Sequence, residues 1–403
     1  FVPKRILHLL SQKPGWTGSG VALDAIVRAA TRANWDQYAV VGVSTHDPTP
    51  VVGGLAQDRI RPLLFESEAL PFALPGMSDV MPYRSTRFSA MTRDEADRYA
   101  AAWTDHLRRA IADTRPDLIH SHHVWVLSSL VKRVDSSVPV VTHCHGTGLR
   151  QMELCPGLAE AVCEGCSRNE AFMALHRAHA VALADQLHVE TDRISVVGSG
   201  FQDNIFHARG RQPSGPVVTY AGKLSRAKGL PWLIEAIDKV ADEVPGVTLH
   251  IAGSGSGPEA EAIRRQIDHS DRIVFHGQLD QGRLATLLRE SAVFALPSFF
   301  EGLPLVLVEA AACGCRLVAT ALPGVVDELE PQLEGYLETV ELPRMRSIDE
   351  PLETDLPAFV DNLAAALEVS LDKPAIASAS HVVAGMTWQA VFERIEKAWL
   401  RLL

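Results

Sequence analysis

Two glutamates eight positions apart, Glu301 and Glu309, are the first residues of this chain whose spacing could do chemistry. They lie in the run Pro297 to Gly314, PSFFEGLPLVLVEAAACG, the first in a turn after a strand and the second inside a helix. Eight helical residues span ~12 Å, more than the ~5–9.5 Å between the paired carboxylates of a glycosidase. The two acids therefore do not flank one scissile bond. They suit two separate diols of one long ligand, a sugar at one end and a ribose at the other. Between them, Gly302 and Leu303 fall where a helix begins, and free N–H groups at such an end suit a phosphate. A solvated turn acid and a helix-surface acid are an equally good reading of the spacing alone.

A second run, Tyr220 to Gly229 (YAGKLSRAKG), leaves another strand. Strand ends in doubly wound sheets point at a ligand crevice, which places Lys223 and Lys228 to meet a diphosphate, with Arg226 competing. In a transferase such cations stabilise the charge that develops on a departing nucleotide. Two Gly-rich turns also follow strands, Gly15 to Gly20 and Gly253 to Gly257. The first opens a helix, a geometry that cradles phosphates. Neither fits the dinucleotide fingerprint, because Leu23 and Pro258 occupy the third-glycine positions.

Cysteine and histidine give a third constellation. Cys155, Cys163 and Cys166, with one of the upstream His143 and His145, could fill a tetrahedral zinc site. Reduced thiols in a loop are the competing reading, since one C-x2-C stands without a second. His120, His122 and His123 follow a strand, and either line a ligand site or are satisfied in the core.

The elements that must position these residues alternate along the chain. Arg5 to Leu10, Tyr38 to Val43, Leu118 to Ser121, Val138 to Val141, Ala180 to Ala184 and Ile194 to Val197 read as strands. Most are unbroken apolar runs, as strands covered on both faces require. Val21 to Ala33 and Arg93 to Asp113 have helical period between them. After a polar stretch at His207 to Pro216 the alternation restarts at Val217 to Ala221 and runs to Arg316 to Ala319. Pro62 to Ser89 and the acidic Ile348 to Asp355 break the pattern and read as surface excursions. Strand–helix alternation in each half predicts two doubly wound parallel sheets.

Composition sets the outer bounds. The chain has 403 residues and 38 Lys+Arg against 49 Asp+Glu, a net charge of −11, which argues against a nucleic-acid partner. A hydrophobic fraction of 47% with 22% charged residues excludes wholesale disorder. No apolar run approaches the ~20 residues of a transmembrane helix. Six cysteines in this length fit a reducing compartment, so a cytoplasmic location is expected.

The order and spacing of these pieces resemble the retaining nucleotide-sugar glycosyltransferases of family 4. The matching segments are Thr17 to Gly20, Pro116-Asp117-Leu118-Ile119-His120-Ser121-His122, Val140 to Gly146, Val196 to Phe206, Gly222 to Gly229, Glu301 to Glu309, and the helix from Thr387-Trp388. The resemblance implies an α/β protein of GT-B fold, with two doubly wound, Rossmann-like domains facing across a cleft. It places an acceptor-side domain at 1–206, a linker at 207–216, a nucleotide-sugar domain at 217–384, and a helix at 385–403 crossing back to the first domain. It implies that Glu309 holds the ribose hydroxyls and that Glu301 contacts the donor sugar, assisted by the backbone of Gly302, Leu303, Pro304 and Leu305. Gly222, Lys223 and Lys228 would bind the diphosphate, Gly18 and Ser19 would close on it, and His145, more than His143, would lie beside the sugar. Glu301, His145 and Lys228 are thus the expected catalytic residues.

The implied reaction is hexosyl transfer from a nucleotide-diphosphate sugar, with uridine diphosphate the family's commonest carrier, in polysaccharide or glycoconjugate synthesis. The acceptor would be a carbohydrate, glycolipid or other small molecule, and the protein could touch the inner face of a membrane. Retention of configuration, no required cofactor or metal, and acceptor deprotonation helped by the leaving diphosphate complete the expectation. A sugar-nucleotide epimerase or phosphorylase of the same fold, and a zinc-dependent hydrolase built on the His/Cys cluster, are the alternatives. The sequence departs from the family pattern at Lys223, where Arg is usual, at Ser199, where Asn is usual, and at Pro323. One extra residue also separates Thr142 from His145-Gly146.

Overall fold

A computed structural model describes residues 4–78, 81–374 and 381–403. Positions 1–3, 79–80 and 375–380, which belong to the expected domains and to the Pro62 to Ser89 stretch, lie outside the described residues. The chain divides into two compact units, one of the residues up to Ser199 together with Trp388–Leu403, the other Gly200–Thr387.

The first unit is built on a seven-stranded sheet: Arg5–Leu10 (β1), Asp36–Ser44 (β2), Ile60–Phe65 (β3), Leu118–His122 (β4), Val140–His143 (β5), Ala171–Ala174 (β6) and Ile194–Val196 (β7). Its order is β3-β2-β1-β4-β5-β6-β7, and every pairing is parallel. Parallel pairing needs crossover helices on the faces, so the inner strands are buried along almost their whole length, their histidines included. The crossovers include Gly18–Arg32 (α1), Arg93–Thr114 (α2), Val126–Val134 (α3), Thr147–Leu154 (α4), Pro156–Cys166 (α5) and Arg177–Leu187 (α6). Thr17 caps α1 through Gly20 N (3.2 Å), and Thr92 with Glu95 forms a reciprocal capping box at the start of α2.

The second unit holds a six-stranded parallel sheet: Val217–Ala221 (β8), Thr248–Ala252 (β9), Ile273–Gly277 (β10), Val293–Leu296 (β11), Arg316–Thr320 (β12) and Leu337–Val340 (β13). The order is β10-β9-β8-β11-β12-β13. Leu230–Glu243 (α7), Pro258–Asp268 (α8), Gln281–Glu290 (α9), Leu305–Ala312 (α10) and Leu356–Asp372 (α11) connect and cover it. Pro231 and Pro258 sit in the first turns of α7 and α8, where a missing N–H costs nothing. Residues 207–216 form neither helix nor strand, and Arg211 fastens them by donating to Ser291 O at 3.0 Å.

The helix Trp388–Leu400 (α12) packs within the first unit. Its Trp388, Val391, Phe392, Ile395 and Trp399 share a core with Ile6, Ala22, Ile26 and Ala30. Trp35 Nε1 donates to Glu396 Oε1 at 2.7 Å, and Arg394 Nε donates to Val197 O at 2.8 Å.

Two expectations are corrected. Ala180 to Ala184 is not a strand but the middle of α6, as its run of alanines favours, and His176 caps that helix through His179 N. The strand of that region is β6, a few residues earlier. Pro62 to Ser89 is no surface excursion: it enters through β3, and Phe65, Leu70, Phe72, Leu74, Met77 and Phe88 are core residues. Pro62 is tolerated because β3 is an edge strand. The acidic Ile348 to Asp355 ends in a short helical turn, Glu353–Asp355, that leads into α11. No helix among the described residues is long and apolar enough to cross a membrane.

Candidate active site

In the second unit the lysine run leaves β8 on a loop fixed by backbone and core contacts. Tyr220 is fully buried, and its hydroxyl donates to Lys223 O at 2.7 Å. Gly222 N donates to Ala252 O (3.0 Å) and Leu224 N to Ser254 O (3.0 Å), tying the loop to the Gly-rich turn after β9. At Gly253 a Cβ would lie 1.8 Å from Gly222 O, so only glycine lets the two backbones approach this closely. That turn is therefore a buttress for the lysine loop.

The loop's other end meets the turn that carries the first acid. Gly229 has φ +69°, and a Cβ there would fall 1.9 Å from Pro297 O. Phe299 N donates to Ala227 O at 2.9 Å. These contacts bring Lys228 and Glu301 together: Lys228 Nζ lies 2.6 Å from Glu301 Oε1, both side chains being half-buried. Ser298 Oγ donates to the same oxygen at 2.8 Å. Both bonds fall on Oε1, and Oε2 is the oxygen left to take a ligand hydroxyl.

Arg226 is turned away from this role. Its guanidinium pairs with Glu353 (2.5 Å) and lies 4.8 Å over the Trp232 ring. Lys223 is exposed at the loop's tip. Glu309 stands on α10 among the buried Leu307, Val308, Ala310 and Ala311, and burial pushes its carboxyl up to about 7. Gly302 and Leu303 lie in the turn ahead of α10, which starts at Leu305. Pro304 has no N–H, so the backbone donors at this end reduce to Gly302, Leu303 and Leu305.

In the first unit Gly18 opens α1 and is exposed, while the buried Ser19 is committed to the fold by donating through Oγ to Gln12 Oε1 at 2.9 Å. Ser19 thus has only its N–H left as a donor toward a ligand. Lys13, two residues ahead of the Gly15 to Gly20 turn, is a functional candidate that spacing missed. It is buried, pairs with Asp47 at 2.6 Å, and lies 4.7 Å over the Tyr83 ring. Its one sequence signal is a cation three residues after the end of an apolar strand. Ser298 and Tyr220 were likewise missed, since a serine three residues before a glutamate is common.

His143 ends β5 and is buried, whereas His145 follows the strand, half-buried, just before α4. Exposure therefore separates the two candidates. His145 Nε2 and His122 Nδ1 are hydrogen-bonded at 2.9 Å, and the His143 and His145 rings stack at 4.4 Å. Burial holds His145 well below the usual imidazole range and His143 down to about 3. The three thiols of the cysteine cluster go to separate partners: Cys155 to Gln151 Oε1, Cys163 to Met152 Sδ, and Cys166 to Trp125 O. Among the described residues no convergent set of three ligand atoms includes a cysteine.

Two parallel sheets of this kind recur in solved proteins. Sucrose-phosphate synthase from Thermosynechococcus elongatus superposes with a TM-score of 0.68 at 16% identity, covering 99% of both chains. An E. coli structure described as "trehalose-6-phosphate … bound with UDP-2-fluoro glucose" superposes at 0.69 with 13% identity and 98% of both chains. The protein is an α/β chain of the GT-B fold class. Family models agree: residues 52–205 match Glycosyltransferase Family 4, and residues 215–343 match Glycosyl transferases group 1. The chain belongs to the family-4 glycosyltransferases. Among curated relatives, the D-inositol 3-phosphate glycosyltransferase of Xylanimonas cellulosilytica is 26% identical over 67% of this chain and 73% of its own length. Further relatives of the same name are matched over 62–63% of theirs, so the chain spans just under two thirds of their length.

Proposed function

We propose that this protein transfers a hexose from uridine diphosphate to a hydroxyl acceptor with retention of anomeric configuration. The observation that carries the reading is the Lys228–Glu301 pair, held by the packed turns at Gly229 and Pro297 in the unit that also carries Glu309. Lys223 and Lys228 take the diphosphate, where their charge offsets what develops on the leaving group. Glu301 Oε2 and the backbone at Gly302 and Leu303 hold sugar hydroxyls, and Glu309 takes the ribose. In the first unit His145, the more exposed of its pair, and the N–H groups of Gly18 and Ser19 serve as ligand contacts. Uridine diphosphate as carrier is supported by the E. coli neighbour bound with UDP-2-fluoro glucose. Phosphorylated polyols and sugars in the names of the relatives and neighbours support a small, hydroxyl-rich acceptor, phosphorylated or not.

Transfer needs no metal in this reading and persists in chelator. The test is a panel of uridine diphosphate hexoses crossed with sugar, inositol and inositol-phosphate acceptors, with product mass and anomeric configuration read directly. Glu301→Ala should abolish transfer while Glu309→Ala mainly weakens nucleotide binding. Full activity in the Glu301→Ala protein would sink the assignment.

A further inference from the structure

We propose that His122, His143 and His145 form a site for one divalent transition-metal ion of the zinc type. The strands build this cluster by register. His8 pairs with His120 across β1 and β4, and His122 pairs with His143 across β4 and β5. Side chains two residues apart share a sheet face, so His120 with His122, and His143 with His145 just past the strand end, fall on that same face. Five imidazoles thus stand together, with neighbouring ring centroids 4.4–5.6 Å apart.

Their nitrogens are conspicuously short of partners. His143 Nδ1 and Nε2, His122 Nε2, both nitrogens of His120 and His8 Nδ1 are buried without a hydrogen bond. A buried polar atom left unpaired is costly, and a metal ion is one way to repay several at once. One ligand atom from each of His122, His143 and His145 lies within 4.8 Å of the others. A second trio, His8, His120 and His122, meets the same limit but is buried in all three members. Only the first has a half-buried member, His145, through which an ion can enter and a fourth ligand can reach it. The trios share His122, so one ion per chain is expected.

The chemistry selects the ion. Neutral imidazole suits zinc, copper, nickel and cobalt and binds calcium or magnesium poorly. Tetrahedral bonds of ~2.0–2.1 Å put ligand nitrogens roughly 3.3 Å apart, closer than the present limit. The rings are now stacked, His145 within 4° of His122 and 21° of His143. Binding must therefore turn the rings until their lone pairs converge.

The test uses the full chain, stripped by chelator and titrated with Co2+ and then Zn2+, with no donor or acceptor present. One Co2+ per chain should bind with the visible spectrum of a low-coordinate nitrogen site, and Zn2+ should displace it. His145→Ala and His143→Ala should each weaken binding by about tenfold or more, while the exposed His46→Ala and the thiol variant Cys163→Ser should leave it unchanged. X-ray absorption of the zinc-loaded wild type reads the ligand set without any variant and should show nitrogen scatterers and no sulfur. Absence of stoichiometric binding, sulfur in the first shell, or undiminished affinity in folded His145→Ala protein would overturn the proposal. Because no step reads transfer, failure here leaves the proposed reaction standing, and failure of transfer leaves this site standing.

Discussion

Lys228 Nζ and Ser298 Oγ converge on one oxygen of Glu301, at 2.6 and 2.8 Å. The cation proposed for the phosphate and the acid proposed for the sugar are thus one electrostatic unit before any ligand arrives. Removing either partner strands the other in a half-buried place. Lys228→Ala and Glu301→Gln should each cost about 1–3 kcal/mol of stability, between the values of exposed and buried pairs. The double variant should cost less than their sum, by ~1 kcal/mol or more. Urea unfolding of the four proteins measures this; strict additivity would mean that the two side chains act independently.

Glu309 makes a pH-dependent prediction of definite sign. Burial raises its carboxyl to about 7 from an ordinary 4.5, so between those values the folded protein holds a proton that the unfolded chain has released. The stability contributed by that proton is complete below 4.5 and declines as pH rises toward 7. Glu309→Gln should therefore be more stable than wild type at pH 8, by about 1–3 kcal/mol, with the gap closing toward pH 5. Denaturant midpoints at the two pH values decide it.

Nucleotide binding should run the other way. An ionised carboxylate is the better acceptor for a ribose diol, so uridine diphosphate affinity should rise with pH up to about 7 and level off. The Glu309→Gln protein should bind more weakly above pH 7, and the ratio of the two affinities should carry the pH dependence. Calorimetric titrations from pH 5.5 to 8.5 cancel the nucleotide's own titration in that ratio. A ratio constant across the range would remove Glu309 from the binding reading.

Gly229 tests whether backbone packing places the cationic loop. With φ at +69° and Pro297 O at 1.9 Å from any added Cβ, alanine here must displace the loop or the turn beneath it. Gly229→Ala should lower uridine diphosphate affinity by about tenfold or more and stability by about 1–3 kcal/mol. Gly157→Ala, where a Cβ meets nothing within 4 Å, is the control. Equal behaviour of the two variants would show that the loop holds its shape by other means.

Trp399 reports on the last helix. It is fully buried and packs against Trp35, Phe392 and His120 with ring centroids 5.3–5.6 Å apart. Trp399→Ala should destabilise the first unit by about 3–5 kcal/mol. Trp399→Phe should recover part of this. Thermal unfolding followed by tryptophan fluorescence in the Trp35 background is the measurement.

What could be read in the residues tracked how local the signal was. Gln281–Glu290 is written in its own residues and the Asp280 before them, which caps it through Arg283 N. The apolar strands beside the glutamates and lysines were legible because parallel sheets demand unbroken burial. Ala180 to Ala184 misled because a short apolar run carries no period long enough to separate strand from helix. Pro62 to Ser89 looked irregular because Pro62 breaks the pattern, and only an edge position, a property of the whole sheet, makes it admissible. At the site, Glu301, Glu309 and Lys228 stood out by type and spacing. The Ser298 bond, the Tyr220 strut and the Gly253 buttress depend on two turns meeting in space. The histidine face is subtler: each H-x-H is visible, but that His122 stands beside His143 is a fact of register.

The first unit's sheet and the Trp388–Leu400 helix that finishes its core come from stretches separated by the whole of the second unit. During synthesis, which proceeds at ~5–20 residues per second with domains generally folding as units in N-to-C order, the usual sequence is interrupted here. Ile6, Ala22 and Ile26 emerge early and wait, their cover not yet made, while residues 200–387 are added and can close a core of their own. The part of the chain born first is thus the part completed last, and the interval between is when its exposed face most needs shielding.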